Sequence, residues 1–206
     1  MSRAIRFLVT VMIVALATGV AGCTMHITMN PTSAVELTKK PIPGKITLLI
    51  DSEFQNYHWQ GFSCAELRGL DYDLGSASKN LFIEIFRQAS DGVTVVESMP
   101  TYPVPGRSGV VLVVHPRIGR FSEQHSLFIR NADYYAEITY HVTVYDKTGK
   151  IVLEKDYCAE GVEMGSIDLY RNYAAPAEKA MARAIVTIID DISNLVSPQD
   201  SDYKVH

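Results

Sequence analysis

The chain has 206 residues, of which 47% are hydrophobic and 20% are charged, and its formal net charge is −4. This length suits one domain or at most two small ones. With 19 basic and 23 acidic side chains, the chain lacks the basic surface that a general nucleic-acid-binding protein needs to neutralise phosphates. The composition therefore excludes that class and favours an acidic globular protein.

The first 22 residues have the pattern of a secretory signal peptide. Arg3 and Arg6 form a basic start, and an uncharged, mainly apolar stretch follows at Phe7–Ala17. That stretch is shorter than the ~20 apolar residues that a membrane-spanning helix needs. We expect residues 1–22 to be removed, which takes away two basic residues and no acidic one.

The signal region ends in Val20-Ala21-Gly22-Cys23. This sequence resembles the lipobox of bacterial lipoproteins, in which small residues precede a cysteine that is acylated and becomes the mature N-terminus. The resemblance implies palmitate or similar chains on Cys23, which would anchor the protein to a lipid bilayer. In that family an aspartate after the cysteine favours the inner membrane, so Thr24 implies the outer membrane and a domain facing the periplasm. A plain signal peptide with a chance cysteine is the alternative.

Two further cysteines, Cys64 and Cys158, remain in the oxidising compartment that this location implies. A disulfide between them would close a loop of about 95 residues and stabilise the fold by up to ~4–5 kcal/mol in the chain-entropy model. Two buried free thiols or a metal site are the alternatives. We predict the disulfide because the compartment favours it.

The segment after Cys23 lacks regular structure in its sequence pattern. Residues 24–44 have no sustained hydrophobic period and contain three prolines, so we predict a lipidated N-terminus and tether over 23–44. Lys45–Asp51 is a compact apolar run and predicts a buried strand. Ser52–Asp73 is long, irregular and aromatic, and such a loop is uncommon unless it is functional or contains a short helix or hairpin.

The rest of the chain predicts two helices and four strands. Apolar residues recur every three or four positions in Ser76–Ala89 and in Pro176–Val196, which predicts two amphipathic helices. Strands are predicted from β-branched runs and alternation at Val93–Glu97, Val110–Ile118, Ala132–Asp146 and Ile151–Val162. A hairpin turn at Lys147–Lys150 joins the last two strands, and Gly119–Asn131 is predicted to be a connection.

The predicted order of elements is therefore β-α-β-β-β-β-α. An α+β two-layer sandwich fits this order, with a mainly antiparallel sheet and two helices on one face. We expect one domain over residues 45–197 and a polar tail at 198–206.

This plan, with a lipobox, a tether and a long C-terminal helix, resembles the auxiliary lipoproteins of envelope ABC-transport systems. The LPS-assembly lipoproteins of the outer membrane have a similar plan. In those families the domain is non-catalytic and binds a partner protein or a lipid. The resemblance implies a non-catalytic outer-membrane lipoprotein that binds an envelope protein in transport or assembly. The aromatic segment 52–73 matches neither family.

The sequence contains no recognisable catalytic or cofactor motif. No local signature joins either remaining cysteine to a histidine, and Gly75-Ser76-Ala77-Ser78 lacks the closing glycine of a nucleophile elbow. We therefore predict no catalytic residues and no cofactor. Met25, His26 and Met29 offer soft ligands for Cu(I), but a tether that happens to contain methionines explains them as well, and we predict no metal.

Aromatic and apolar residues that could anchor a partner occur in two segments. They are Phe54, Tyr57, Trp59 and Phe62 in the first, and Leu127 and Phe128 in the second. The first group could instead form a small core under a long loop, and the second could begin the next strand. Binding of a small ligand or lipid by the domain is the alternative function, and an envelope hydrolase is a third.

Overall fold

The computed structural model describes residues 24–31, 35, 37, 41–63, 68–102, 112–128, 131–165 and 173–196. Within these ranges the chain forms two sheets and three helices. The strands are β1 (Met25–Ile27), β2 (Lys45–Leu49), β3 (His58–Ser63), β4 (Arg68–Asp73), β5 (Gly92–Val96), β6 (Leu112–Phe128), β7 (Asn131–Tyr145) and β8 (Ile151–Gly165). The helices are α1 (Ser52–Gln55), α2 (Leu74–Ala89) and α3 (Ala174–Val196).

The larger sheet has five strands in the order β5-β2-β6-β7-β8. Its long strands β6, β7 and β8 pair antiparallel, whereas β2 pairs parallel with both of its neighbours. The parallel pairing of β2 with β5 follows from the connection through α2, since parallel strands need a crossover of this kind. The predicted α+β fold is confirmed.

One face of this sheet and the apolar faces of α2 and α3 form the core. Val142 and Tyr140 of β7, Phe82 of α2 and Ile188 of α3 are among its fully buried side chains. Buried hydroxyls are hydrogen-bonded, as between Ser78 Oγ and Tyr140 Oη at 2.7 Å. Helices cover this face because their apolar stripes recur at helical spacing, as the sequence predicts.

Strands β6 and β7 are longer than their sequence pattern indicates. The predicted connection Gly119–Asn131 is wrong over most of its length, because β6 continues to Phe128 and β7 begins at Asn131. A register shift between Ile118 and Arg120 marks a bulge at Gly119. The bulge realigns the strand, so that polar residues after it continue the pairing with β7.

The segment Ser52–Asp73 contains a short helix and a hairpin rather than a loop. The Asp51 side chain accepts a hydrogen bond from the Phe54 amide at 2.8 Å and caps α1. Strands β3 and β4 then pair antiparallel. Asp73 caps α2 through the Ser76 amide, so the helix begins at Leu74, two residues before the predicted start.

The tether prediction is corrected for the described part of residues 24–44. Met25–Ile27 forms β1, which pairs parallel with β4 in a second sheet of order β1-β4-β3. Asn30 donates its amide to Glu178 of α3 at 2.6 Å, and Ile42 is buried. Hydrogen bonds to residues distant in sequence hold this segment, and a sequence period cannot reveal them.

The three-stranded sheet packs against the helix-covered side of the larger sheet through aromatic rings. The ring centroids of Trp59 and Tyr72 lie 5.2 Å and 5.3 Å from that of Phe121 on β6. Among the described helices, none combines the length and the apolar character needed to cross a bilayer.

Candidate functional site

The three-stranded sheet has two chemically different faces, and its outer face is the candidate functional site. Directly opposed residues share a face, so pairing places His26 beside Asp71 and Gln60, and Met25 beside Leu70 and Gly61. The first set belongs to the outer face and the second to the inner face.

The inner face is an aromatic and aliphatic surface that joins the two sheets. Trp59 lies edge-on to Tyr72 at 5.6 Å, and both contact Phe121. The Trp59 ring covers Gly61, where a Cβ atom would lie 2.1 Å from the indole. Glycine at position 61 therefore allows the indole to lie flat on its own strand.

The outer face holds two histidines that share one carboxylate. Nδ1 of His26 is 2.8 Å from Asp71 Oδ2, and Nδ1 of His58 is 3.2 Å from Asp71 Oδ1. Asp71 is buried, whereas the His26 side chain is 78% exposed and that of His58 is 48% exposed. Because a carboxylate accepts hydrogen bonds, a proton on Nδ1 of either ring can be donated to Asp71, and Nε2 of His58 lies 3.9 Å from the Asp73 carboxylate.

A cleft of about 410 Å³ opens beside this pair of histidines. It lies between β1, the carboxylates of Asp71 and Asp73, and the start of α2 at Ser76 and Asn80. The imidazole rings of His26 and His58 and the two carboxylates lie at its edge. Such a cleft suits a polar group that donates hydrogen bonds.

Metal binding is not indicated by the arrangement of these side chains. Within the part of the chain that the structure describes, no group of three His, Cys, Asp or Glu residues is placed to hold a metal ion. His26 is engaged by Asp71, and Met25 Sδ lies 3.9 Å from Nη1 of Arg68. The contacts of these two residues give no support to Cu(I) binding, the alternative considered for Met25, His26 and Met29.

A buried carboxyl group lies where the two sheets meet. Glu123 stands on β6 opposite the buried Ala136. Burial raises the pKa of the Glu123 carboxyl to about 7, and a hydrogen bond with Tyr72 offsets part of that rise. The single hydroxyl hydrogen of Tyr72 is shared between the Glu123 carboxyl and the backbone oxygen of Tyr173, which lies 3.2 Å from Tyr72 Oη. These polar contacts connect β6, β4 and the residue before α3.

The predicted partner-binding residues of the first aromatic segment separate into buried and exposed groups. Phe54 is buried against Phe82 and Tyr140, which corrects its assignment to a binding surface, because the capped helix α1 turns the ring into the core. Tyr57 and Trp59 are half-buried and pack on the core, as the alternative of a small core proposed. Phe62 is 57% exposed on the outer face.

The second predicted segment lies in a strand. Leu127 and Phe128 are the last residues of β6, where they pair with Ala132 and Asn131 of β7. Their side chains, like Cys23 and Cys64, lie outside the described residues. The prediction that Leu127 and Phe128 bind a partner therefore stays a prediction.

Cys158 is exposed on β8 and is free in this structure. Neighbouring side chains of a strand point to opposite faces of the sheet, and Tyr157 points to the helix-covered side. The Cys158 thiol therefore faces the open side of the larger sheet. The three-stranded sheet, which contains the strands flanking Cys64, packs on the other side. The predicted disulfide is not observed, since Cys158 is free and Cys64 lies outside the described residues.

On this open face, His141 of β7 is held by carboxylates of β8. His141 Nδ1 is 2.7 Å from Asp156 Oδ1, and its Nε2 is 3.3 Å from Glu154 Oε1. Both ring nitrogens of His141 thus have acidic neighbours, and the histidine is not oriented toward a thiol by these contacts.

Sequence reasoning missed the shared carboxylate of the outer face. A signal for it exists in the alternation of polar and apolar residues over 58–60 and 70–73, which is typical of a hairpin with one polar face. That pattern places His58 and Asp71 on one side of a hairpin. It carries no information on His26, because β1 joins through tertiary pairing alone.

Comparisons with known proteins find structural likeness at low sequence identity. No family model matches the chain, and no curated protein matches it. Protein XCC0632 of Xanthomonas campestris, assigned to DUF330, has a TM-score of 0.49 and 10% identity over 84% of this chain and 95% of its own. A minor lipoprotein of Acinetobacter baumannii has a TM-score of 0.38 and 11% identity over 77% and 94%. The hypothetical protein CT253 of Chlamydia trachomatis has a TM-score of 0.40 and 13% identity over 76% and 99%.

Proposed function

We propose that this chain is a bacterial lipoprotein, acylated at Cys23, whose periplasm-facing domain binds an envelope protein in transport or assembly. The proposal takes the domain to be non-catalytic. It places the anchor in the outer membrane because Thr24, rather than an aspartate, follows the cysteine.

The observation that supports this proposal most directly is the position of β1. Met25, the first residue of β1, is two residues after Cys23 and pairs with Leu70 of β4. His26 is attached to the buried carboxylate of Asp71, and Asn30 is bonded to α3. Acyl chains on Cys23 would therefore hold a folded domain directly at the bilayer surface.

A domain held at the surface can reach only partners at or near the same membrane. Such a position favours a component of an envelope assembly over a protein that binds distant partners in the periplasm through a long tether. Two acyl chains or more are enough for stable anchoring, since each buried CH₂ contributes ~0.8 kcal/mol.

Labelling of growing cells with a palmitate analogue tests the anchor. The full-length protein should take up the label and sediment with outer membranes, and Cys23→Ser should abolish both properties. Cys158→Ser is the matched control, because it removes an exposed cysteine elsewhere and should keep both properties. Unlabelled wild-type protein in the soluble periplasmic fraction would overturn the anchor.

Crosslinking in intact cells followed by purification from solubilised membranes tests the partner. A stoichiometric envelope protein should be recovered with the wild-type chain. Recovery should fall for Cys23→Ser, because the variant no longer shares the membrane with its partner. A protein that is always recovered alone would contradict the binding role.

The cleft beside the two histidines favours a second candidate function, which is binding of a small polar ligand. Its volume of about 410 Å³ lies within the usual range for ligand sites. Native mass spectrometry after gentle extraction should show a bound mass in the wild-type protein and its loss in Asp71→Ala. A mass equal to that of the unliganded chain in wild type would exclude this candidate.

A further inference from the structure

We propose that the Cys23-proximal end of the three-stranded sheet, with Phe62 and Arg68, rests on the phospholipid bilayer that holds the lipid anchor. This inference rests on the proposed acylation of Cys23 and deepens it by assigning a bilayer-facing surface to the domain. The surface is defined as Thr24, Phe62, Arg68 and Gly69, and it is called the bilayer end below.

The first argument is distance along the chain. Thr24 is the only residue between Cys23 and β1. It lies against β4, where a Cβ atom on Gly69 would be 3.2 Å from Thr24 Oγ1 and 3.7 Å from Thr24 Cα. Because consecutive Cα atoms are about 3.8 Å apart, acyl chains on Cys23 enter the bilayer next to this end of the sheet.

The second argument is the position of Phe62. Phe62 pairs with Gly69, and Gly69 lies beside Thr24, so these three residues form the row of the outer face closest to Cys23. Phe62 is 57% exposed, the largest fraction among the large hydrophobic residues whose burial the structure describes. Transfer of an aromatic ring from water to the depth of the lipid headgroups is favourable in free energy, as in the aromatic belts of membrane proteins.

The third argument is the order of charges along the strands. Arg68, at the bilayer end, is exposed and cationic, which suits lipid phosphates. The carboxylates of Asp71 and Asp73 follow two and four residues after Gly69 on the same face, at about 7 and 13 Å along a strand. The three-stranded sheet thus carries an aromatic ring and a cation at its end near Cys23 and carboxylates farther away, in the order that a phosphate surface favours.

Tryptophan fluorescence on lipid vesicles tests this orientation. Trp59 is the only tryptophan in the chain, so Trp59→Phe with Phe62→Trp gives a single reporter at the bilayer end. The acylated protein is reconstituted in vesicles of phosphatidylethanolamine and phosphatidylglycerol with brominated acyl chains. The matched control combines Trp59→Phe with Tyr135→Trp, which places the reporter at an exposed aromatic position on the larger sheet.

Bromine should quench the reporter at position 62 by at least about twofold more than the reporter at position 135, because quenching requires contact with the acyl region. Equal quenching in protein that floats with the vesicles overturns the bilayer end and leaves the anchor intact. Protein that does not float overturns the anchor and the inference together. Circular dichroism shows whether the Trp59→Phe variants fold. If they do not, amide hydrogen exchange of β3 in the wild-type protein tests the same orientation. Exchange should be slower in wild-type protein on vesicles than in the Cys23→Ser protein, and equal exchange rates would overturn the bilayer end.

Discussion

The two sheets of this protein show how stability and surface chemistry are divided within one small domain. The five-stranded sheet buries one whole face under α2 and α3, and its core side chains are almost free of solvent contact. The three-stranded sheet buries one face on Phe121 and leaves the other open, with His26, His58 and Phe62 exposed. We infer that the larger sheet supplies most of the folding free energy and that the smaller sheet is the region where substitutions change contacts outside the domain.

Substitution of one phenylalanine in each sheet region should give the largest contrast. Phe82→Ala removes a fully buried ring that contacts Phe54, Phe86 and Tyr140, and should lower the free energy of unfolding by about 3–5 kcal/mol. Phe62→Ala should change it by less than about 0.5 kcal/mol, because the ring is mostly exposed. Urea unfolding of the two variants and the wild-type protein measures both losses. Similar losses in the two variants would show that the smaller sheet is as tightly packed as the larger.

Two glycines should show the next largest contrast. A Cβ atom at Gly161 of β8 would lie 1.9 Å from the Pro176 backbone oxygen, so Gly161→Ala must displace α3 and should cost about 3 kcal/mol. At Gly61 the obstacle is the Trp59 ring, which can turn, so Gly61→Ala should cost about 1 kcal/mol. Thermal unfolding midpoints of the two variants test the ranking, and a larger loss for Gly61→Ala would reverse it.

The carboxyl group at the junction of the sheets should make stability depend on pH. The folded-state pKa of Glu123 is about 7, above its ordinary value of 4.5, so the protonated form favours the folded state. This contribution is complete below about pH 4.5 and is lost as the pH rises to about 7. Glu123→Gln should therefore become more stable relative to wild type between pH 5 and pH 8. A stability difference that does not change over this range would contradict the burial of the charge.

The smallest expected effect concerns the attachment of β1. Asp71→Ala removes the acceptor of His26 and His58, and because both rings are substantially exposed the loss of stability should be about 1 kcal/mol or less. Amide hydrogen exchange over Met25–Ile27 should nevertheless become faster, since β1 has only three residues and one paired strand. Asp156→Ala removes a partner of His141 on the larger sheet and should leave exchange in β1 unchanged.

The larger sheet was largely predictable, because its elements have local signals. Ala132–Asp146 alternates apolar and polar residues and corresponds to β7, and the apolar stripe of Pro176–Val196 corresponds to α3. The predicted boundaries were wrong where a single residue decided the end of an element. Asp73 moves the start of α2 to Leu74, and Gly119 allows β6 to continue through a polar stretch.

The smaller sheet was only partly predictable. The sequence allows a hairpin within Ser52–Asp73, because polar and apolar residues alternate in parts of that segment. It assigns no partner strand to Met25–Ile27. That strand pairs with β4, more than forty residues away, and a three-residue segment has too little periodicity to be recognised. The sequence also left the burial of Phe54 and Trp59 undecided, since an aromatic ring in an irregular segment is compatible with both a core and a surface.

The amino-acid sequence by itself determined the α+β class, the two amphipathic helices and the long hairpin, because each depends on spacing between near neighbours in the chain. It also contains the lipobox resemblance at Cys23, which depends on adjacent residues. Only the tertiary structure decided that the segment after Cys23 is a strand, that Asp71 joins His26 to His58, and that Cys158 lies on the side of the larger sheet opposite the three-stranded sheet. Those features are contacts between distant segments, and they exist only once the core has brought the segments together.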